Sequence, residues 1–186
     1  AILGFVAVTA WVLRQTHWDY RHLADVLAAP LALATAITSV GTSRVGRVTA
    51  LALAVVSDGQ GFHPLGAYQA IGSYLTFVVV WNLRRKAKFP GQLGLLSIFG
   101  LGLTQFLVGF FAEPDFIYNG GQLLGVLAMA SVIMIVRNTD ITEGEEDYME
   151  HHKALGPSKA PWYRRIGWVW GLLFLLCIYY LRAFNS

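Results

Sequence analysis

The chain has 186 residues, 55% of them hydrophobic and 13% charged, with a formal net charge of +3 and a mean hydropathy of +0.51. A soluble domain of ordinary composition carries about twice that charged fraction, and the basic residues sit at the ends of apolar runs, which excludes a nucleic-acid footprint. The single cysteine, Cys177, lies inside an apolar run and leaves no internal disulfide framework or paired-cysteine metal site.

The first residues, AILGFVAVTAWVL (1–13), are apolar but too short to span a bilayer, which takes roughly 20 residues. They show neither an initiator Met nor the basic start of a signal peptide. They are expected to be the end of a first, truncated helix in a protein that extends further N-terminally. After Arg14 and a polar loop, a second run from His22 to Gly41 contains Pro30, which predicts a kink or a break. The corner GTSRVGR (41–47) leads to Val48–Val56, too short to cross and expected to be interfacial or re-entrant. SDGQGFHP (57–64) has the Gly, Asp and Pro content of a loop.

A third run, Leu65 to Leu83, ends against Arg84-Arg85-Lys86-Ala87-Lys88. Then comes the most informative stretch, 89–125. Its apolar run from Leu93 to Phe111 breaks at Ala112-Glu113-Pro114-Asp115 and resumes at Gly121, continuing to Val136. Two such runs joined by a short Pro-containing corner read as a transmembrane hairpin, since only helices keep their backbone groups paired in lipid. Residues 137–165 are polar, with acidic Glu143, Glu145, Glu146 and Asp147. A last run, Ile166 to Leu181, carries Trp168, Trp170, Tyr179 and Tyr180, which suit interfacial anchoring together with Trp162. The fold class is therefore all-α, a polytopic transmembrane helix bundle of about six membrane segments.

Lys/Arg asymmetry orients it. Arg14 and Arg21, then Arg84, Arg85, Lys86 and Lys88, then Arg137, Lys153, Lys159, Arg164 and Arg165 fall on alternate loops. The opposite side holds Arg44, Arg47 and Arg182. The first group is expected to be cytoplasmic, so corners 41–64 and 112–120 face outward together.

Those two corners gather Ser39, Thr42, Arg44, Arg47, His63, Gln105, Glu113 and Asp115 on one face. Convergence of several elements is how a lipid-headgroup site would be built, although loop polarity at an interface gives the same list. Gly121 and Gly125, four residues apart, permit close helix approach, as do Gly66 and Ala70. EGEEDYMEHH (143–152) places Asp147 and His151 one helical turn apart, but a solvated acidic helix explains it better than a metal. No cofactor or metal is expected. Walker, GxSxG, HExxH and dinucleotide motifs are absent from the sequence, and no inverted repeat or mid-membrane charge suggests a transporter.

Three blocks resemble the prolipoprotein diacylglyceryl transferase family. RHLADVLAAPLALATAITSVGTSRVG (21–46) is similar to the stretch that opens R-x-x-D-x-x-A-P-x-L-A-L and runs into G-R-I-G-N-F-x-N-G-E. HPLGAYQ (63–69) is similar to H-P-T-Q-L-Y-E. PGQLGLLSIFGLGLTQFLVGFFAEPD (90–115) is similar to P-G followed by apolar residues and G-L-x-R-F-x-x-E-x-x-R-x-P-D, with GQLLG (121–125) against G-Q-x-L-S. The spacing agrees from about residue 1 to 136, and on this register Ala1 follows the family's H-G-G motif.

The resemblance implies transfer of diacylglycerol from phosphatidylglycerol to a lipobox cysteine thiol in the bacterial cytoplasmic membrane. That chemistry needs a base for the thiol and guanidinium groups for the departing glycerol phosphate. Here the sequence departs. The family's first arginine aligns with Ser39, its asparagine with Thr42 and the glutamate ending that block with Arg47. In the third block an arginine is Gln105, the glutamate Gly109 and the last arginine Ala112. Retained are Asp25, Pro30, Gly41, Gly46, His63, Pro64, Tyr68, Pro90, Gly91, Phe106, Pro114, Asp115, Gly121 and Gln122.

Scaffold residues persist while charged ones are replaced. The expectation is a non-catalytic membrane protein, a lipid-binding or accessory subunit of a membrane assembly. Arg44, Arg47, His63, Tyr68 and Gln105 are candidates for holding a phosphatidylglycerol-like headgroup. Other membrane subunits would meet it through Gly121, Gly125 and the helix 166–182. The alternative is an active transferase in which Arg44, Arg47 and His63 have taken over anion binding and base duties. Three regions are expected: a transferase-like bundle (1–136), a cytoplasmic acidic link (137–165) and an added C-terminal helix (166–186).

Overall fold

The structure is a computed structural model, and it describes residues 20–42, 44–51, 54–57, 59–113, 116–138 and 162–184. The expected first segment (1–13), the acidic link with Asp147 and His151, and Pro114 and Asp115 lie outside them. Within the described residues the chain forms α1 (Tyr20–Val40), a two-stranded hairpin of β1 (Val55–Ser57) and β2 (Gln60–Phe62), α2 (Leu65–Leu83), α3 (Gln92–Gly109), α4 (Phe116–Asn138) and α5 (Trp162–Phe184).

α1 runs unbroken through Pro30. Of the kink or break expected there, the break does not occur, although the ring has no N–H for the carbonyl one turn back. α2 has the bounds its apolar run suggests. α3 begins where Gly91 takes a left-handed φ of 89°, a conformation open to glycine. The freed amides of its first turn are then capped from another helix. The Asp25 carboxylate of α1 accepts hydrogen bonds from the backbone N–H groups of Gly91 (2.7 Å), Leu93 (2.8 Å) and Gly94 (3.0 Å). An anion at a helix N-terminus satisfies orphan donors and the helix dipole together.

The sequence pattern gives no sign of the one non-helical element. Val55, Val56 and Ser57 pair antiparallel with Phe62, Gly61 and Gln60, and Val48 bridges Phe62. The end of the piece expected to be interfacial or re-entrant thus pairs with the loop after it in one small hairpin at the α1–α2 connection. An apolar run this short carries no usable periodicity.

α3 and α4 form the expected hairpin of helices, with α4 starting at Phe116 rather than Gly121. α1, α2 and α3 pack mutually, and α5 lies against α2 and α1. The core is rich in alanine: Ala28, Ala29, Ala32 and Ala36 of α1 meet Ala67, Ala70, Tyr74 and Phe77 of α2, joined by Leu175 and Tyr179 of α5. Small residues let helix backbones approach closely where lipid gives no hydrophobic drive to associate.

One expectation about subunit contacts needs correction. A Cβ on Gly125 would stand 2.6 Å from the Gly102 carbonyl oxygen, and one on Gly121 would stand 2.5 Å from Gln105 Nε2. Both glycines therefore serve α3 of the same chain and are not open to another subunit. α5 buries one face inside the bundle and leaves the other exposed. Tyr179 is 3% exposed, Tyr74 OH donates to the Trp168 carbonyl at 3.0 Å, and Phe77 meets the Trp168 ring edge-on.

The outer faces of all five helices carry exposed large apolar side chains, among them Ile37, Leu75, Leu107, Leu124 and Phe174. α1 and α3 are long and apolar enough to cross a membrane. Hydroxyls on the helices donate to their own backbones, as with Thr35 to Leu31, Thr76 to Gly72, Thr104 to Gly100 and Ser131 to Leu127. That is how polar groups are satisfied in hydrocarbon. The architecture is a multi-pass membrane bundle.

Candidate functional site

At one end of the bundle the C-terminus of α1, the start of α2 and the last turns of α3 enclose a cavity of about 200 Å³. Its polar wall is Ser39, Thr42, Arg44, Gln69 and Gln105; its apolar wall is Leu65, Gly66 and Val108. Gly66 makes this possible: a Cβ there would lie 2.9 Å from the carbonyl oxygens of Ser39 and Thr42, so only glycine lets α2 start flush against the end of α1.

The hydroxyls in the wall are already oriented. Ser39 Oγ donates to the Thr35 carbonyl at 2.7 Å, and Thr42 Oγ1 donates to the Ser39 carbonyl at 2.8 Å. Each oxygen keeps lone pairs with which it can accept. Ser39 is buried while Arg44 is exposed, so the charge stands at the rim and the interior is neutral.

Beside the cavity, across Leu65 and Val108, lies a second cluster. The buried side chains of Leu65, Val108 and Ala112 pack with Tyr68. His63 Nδ1 and Tyr68 OH are 3.0 Å apart, and Phe111 contacts both rings, at centroid separations of 5.0 Å and 5.3 Å. Arg47 ties this cluster together: its Nε donates to the Ala112 carbonyl at 2.9 Å, its backbone N–H to the Phe111 carbonyl at 2.9 Å, and its carbonyl accepts from His63 N–H at 3.0 Å.

The candidates from sequence thus separate. Arg44 and Gln105 line the cavity. Arg47, His63 and Tyr68 come together next to it, with Arg47 acting on the corner 109–112. Glu113 is exposed. Of the positions where the family pattern carries charge or amide, Ser39, Thr42 and Gln105 line the cavity. Gly109 lies under Gln122 of α4, which occupies the space a side chain would take and donates from Nε2 to the Phe106 carbonyl at 3.3 Å. The glutamate ending the family's first block and the last arginine of its third fall on Arg47 and Ala112, and in this chain Arg47 Nε donates to the Ala112 carbonyl.

Sequence reasoning misses Gln69. The signal is present, because HPLGAYQ ends on it where the matching block H-P-T-Q-L-Y-E ends on an acid. It is one more charged position that has become neutral and faces the same cavity.

Comparison with known proteins gives the family. The family model described as prolipoprotein diacylglyceryl transferase matches residues 1–138. Among curated relatives, a phosphatidylglycerol–prolipoprotein diacylglyceryl transferase of Chlorobaculum tepidum is 30% identical over 148 residues, covering 70% of this chain and 51% of the relative. Proteins of the same description from Wolinella succinogenes (28% identical; 73% of this chain, 51% of the relative) and Pseudoalteromonas atlantica (27% identical; 67% and 49%) are similar as well. The chain spans about half the length of the curated relatives it matches, and α5 lies beyond the matched residues. No solved structure matches it. On the match through residue 138 and the retained scaffold, the chain belongs to the prolipoprotein diacylglyceryl transferase family, as a divergent member.

Proposed function

We propose that this chain is a non-catalytic member of its family, acting in the bacterial cytoplasmic membrane as a lipid-binding accessory subunit, with its cavity facing outward and its basic loops cytoplasmic. One observation carries the reading: Ser39, Gln69 and Gln105, positions at which the family pattern is charged, converge on one cavity with an uncharged interior. Removing one preorganised donor to a developing negative charge costs roughly 10²–10³ in rate. Losing the guanidinium groups at Ser39, Gln105 and Ala112 leaves a glycerol phosphate leaving group, among the described residues of the cavity wall, with the single guanidinium of Arg44.

In this reading residues 1–136 form the transferase-like bundle, 137–165 a cytoplasmic link and 166–186 an added helix. The bundle keeps its shape because the cavity still holds lipid. The relatives' description makes a phosphatidylglycerol-like phospholipid the reference ligand, and the exposed outer face of α5 is the surface left for a partner subunit. Purification from native membranes in mild detergent tests this. Retained lipid and a co-purifying membrane protein are expected, and a lone, lipid-free monomer counts against it.

The competing reading is an active transferase, favoured by Arg44 at the cavity rim and by the His63–Tyr68 contact of 3.0 Å. Incubation with labelled phosphatidylglycerol and a lipobox peptide separates the two. No thioether product is expected; a product that Arg44→Ala abolishes would establish the transferase.

A further inference from the structure

At the end of the bundle opposite the cavity, the turn from α2 to α3 carries Arg84, Arg85, Lys86 and Lys88, four cations in five residues. A single cation there would answer the partial negative charge of the α2 C-terminus. The turn is also held in place. Ala87, between the two lysines, is buried in the main core cluster. Lys86 N–H donates to the Leu83 carbonyl at 2.7 Å, Lys88 N–H donates to Gln92 Oε1 at 2.6 Å, and the Asp25 carboxylate takes the Gly91 N–H. Arg84 lies over the Trp81 ring. Arg85, Lys86 and Lys88 are exposed, and among the described residues none of the three has an acidic partner. Leading up to the turn, Leu75, Val79 and Leu83 of α2 are exposed at four-residue steps, a spacing that puts them on one side of the helix.

We infer that this face is a second lipid site, separate from the cavity, for a phospholipid with two phosphates, of the diphosphatidylglycerol kind. A cluster of Lys and Arg at the end of a membrane-spanning helix attracts anionic headgroups, each cation adding to the attraction. The apolar stripe of Leu75, Val79 and Leu83 ends at that cluster, so acyl chains can lie along α2 while the headgroup reaches the turn. Two phosphates on one headgroup engage several cations together. Once the first is bound, the second meets its cation at a high effective concentration, an advantage that two separate singly charged lipids lack. The hydrogen bonds that fix the turn lower the ordering cost of binding. Nothing in this argument depends on what the cavity holds.

The test uses the whole chain in nanodiscs holding diphosphatidylglycerol, phosphatidylglycerol and phosphatidylethanolamine in equal amounts, with retention read by native mass spectrometry. Replacing the three exposed cations together (Arg85→Gln, Lys86→Gln and Lys88→Gln) is expected to reduce diphosphatidylglycerol retention about tenfold. Phosphatidylglycerol retention should change less than twofold, because the cavity at the other end is untouched. A photoreactive diphosphatidylglycerol should label residues 75–88 of the unaltered chain. A larger thermal shift of the unaltered chain with diphosphatidylglycerol than with phosphatidylglycerol at equal phosphate gives a reading that does not depend on how the variant folds. Undiminished diphosphatidylglycerol retention in the triple variant overturns the inference. So does an equal loss of both anionic lipids, which would make the turn a diffuse surface charge. Labelling confined to the cavity end, with retention lost on Arg44→Ala instead, overturns it as well.

Discussion

Asp25 shows how much of this bundle hangs on single polar contacts. One carboxylate on α1 accepts from three first-turn amides of α3, joining helices far apart in sequence through part-buried bonds. Asp25→Ala would leave those amides short of partners, at a cost of about 2–3 kcal/mol from the lost cap and the orphaned donors. The apparent Tm in detergent should fall by about 5–10 °C, using roughly 2–4 °C per kcal/mol for a chain of this size. Asn should recover part of the loss, since its carbonyl accepts hydrogen bonds but brings no charge to the helix dipole. An unchanged Tm for Asp25→Ala would show the contact to be dispensable. The family pattern marks Asp25 as retained, but its role is not legible there, because a cap from a distant helix leaves no local signature.

The helices themselves are largely legible, since apolar periodicity and length are written locally. The α2 limits at Leu65 and Leu83 and the α3–α4 turn at 110–115 follow from run lengths, Pro and Gly alone. What local pattern cannot supply is which faces meet. Thus Gly125 reads correctly as a close-approach residue, but its neighbour is α3 rather than another subunit, and Gln69 escapes notice beside the charged positions. The glycines of α4 make a graded test of the observed packing. A Cβ at Gly125 would meet the Gly102 carbonyl at 2.6 Å and the Phe106 nitrogen at 3.2 Å, both backbone atoms of α3. At Gly121 the obstacle is the end of the Gln105 side chain, which can swing away, and at Gly120 nothing lies within 4 Å. Gly125→Ala should therefore destabilise by about 1–3 kcal/mol as an overpacked interface. Gly121→Ala should cost less while displacing Gln105 from the cavity wall, and Gly120→Ala should be neutral. Equal thermal shifts for all three would contradict the close α3–α4 contact.

At the scale of the whole molecule, the bundle has two chemically distinct ends, and packing alone fixes which loops share each. Asp25 holds the start of α1 to the 88–91 turn, placing Arg21 with Arg85, Lys86 and Lys88. The Arg47 hydrogen bonds to Phe111 and Ala112 hold the β-hairpin connection to the α3–α4 corner, so His63, Arg44 and Glu113 share the other end. The proposed orientation rests on charge asymmetry, since short loops rich in Lys and Arg tend to stay on the cytoplasmic side, and Arg84 stacked over Trp81, 3.6 Å from the ring centroid, matches an interfacial anchor. Single cysteines in a Cys177→Ser background test this without disturbing either end, because Lys88 and Glu113 are both exposed. Glu113→Cys should react with a membrane-impermeant maleimide in intact cells, and Lys88→Cys only after permeabilisation. The reverse pattern would place the cavity on the cytoplasmic face, where an outer-leaflet lipid could not enter it. Labelling of both in intact cells would break the two-ended arrangement itself, since the Asp25 and Arg47 contacts hold those loops at opposite ends of helices long enough to cross the bilayer.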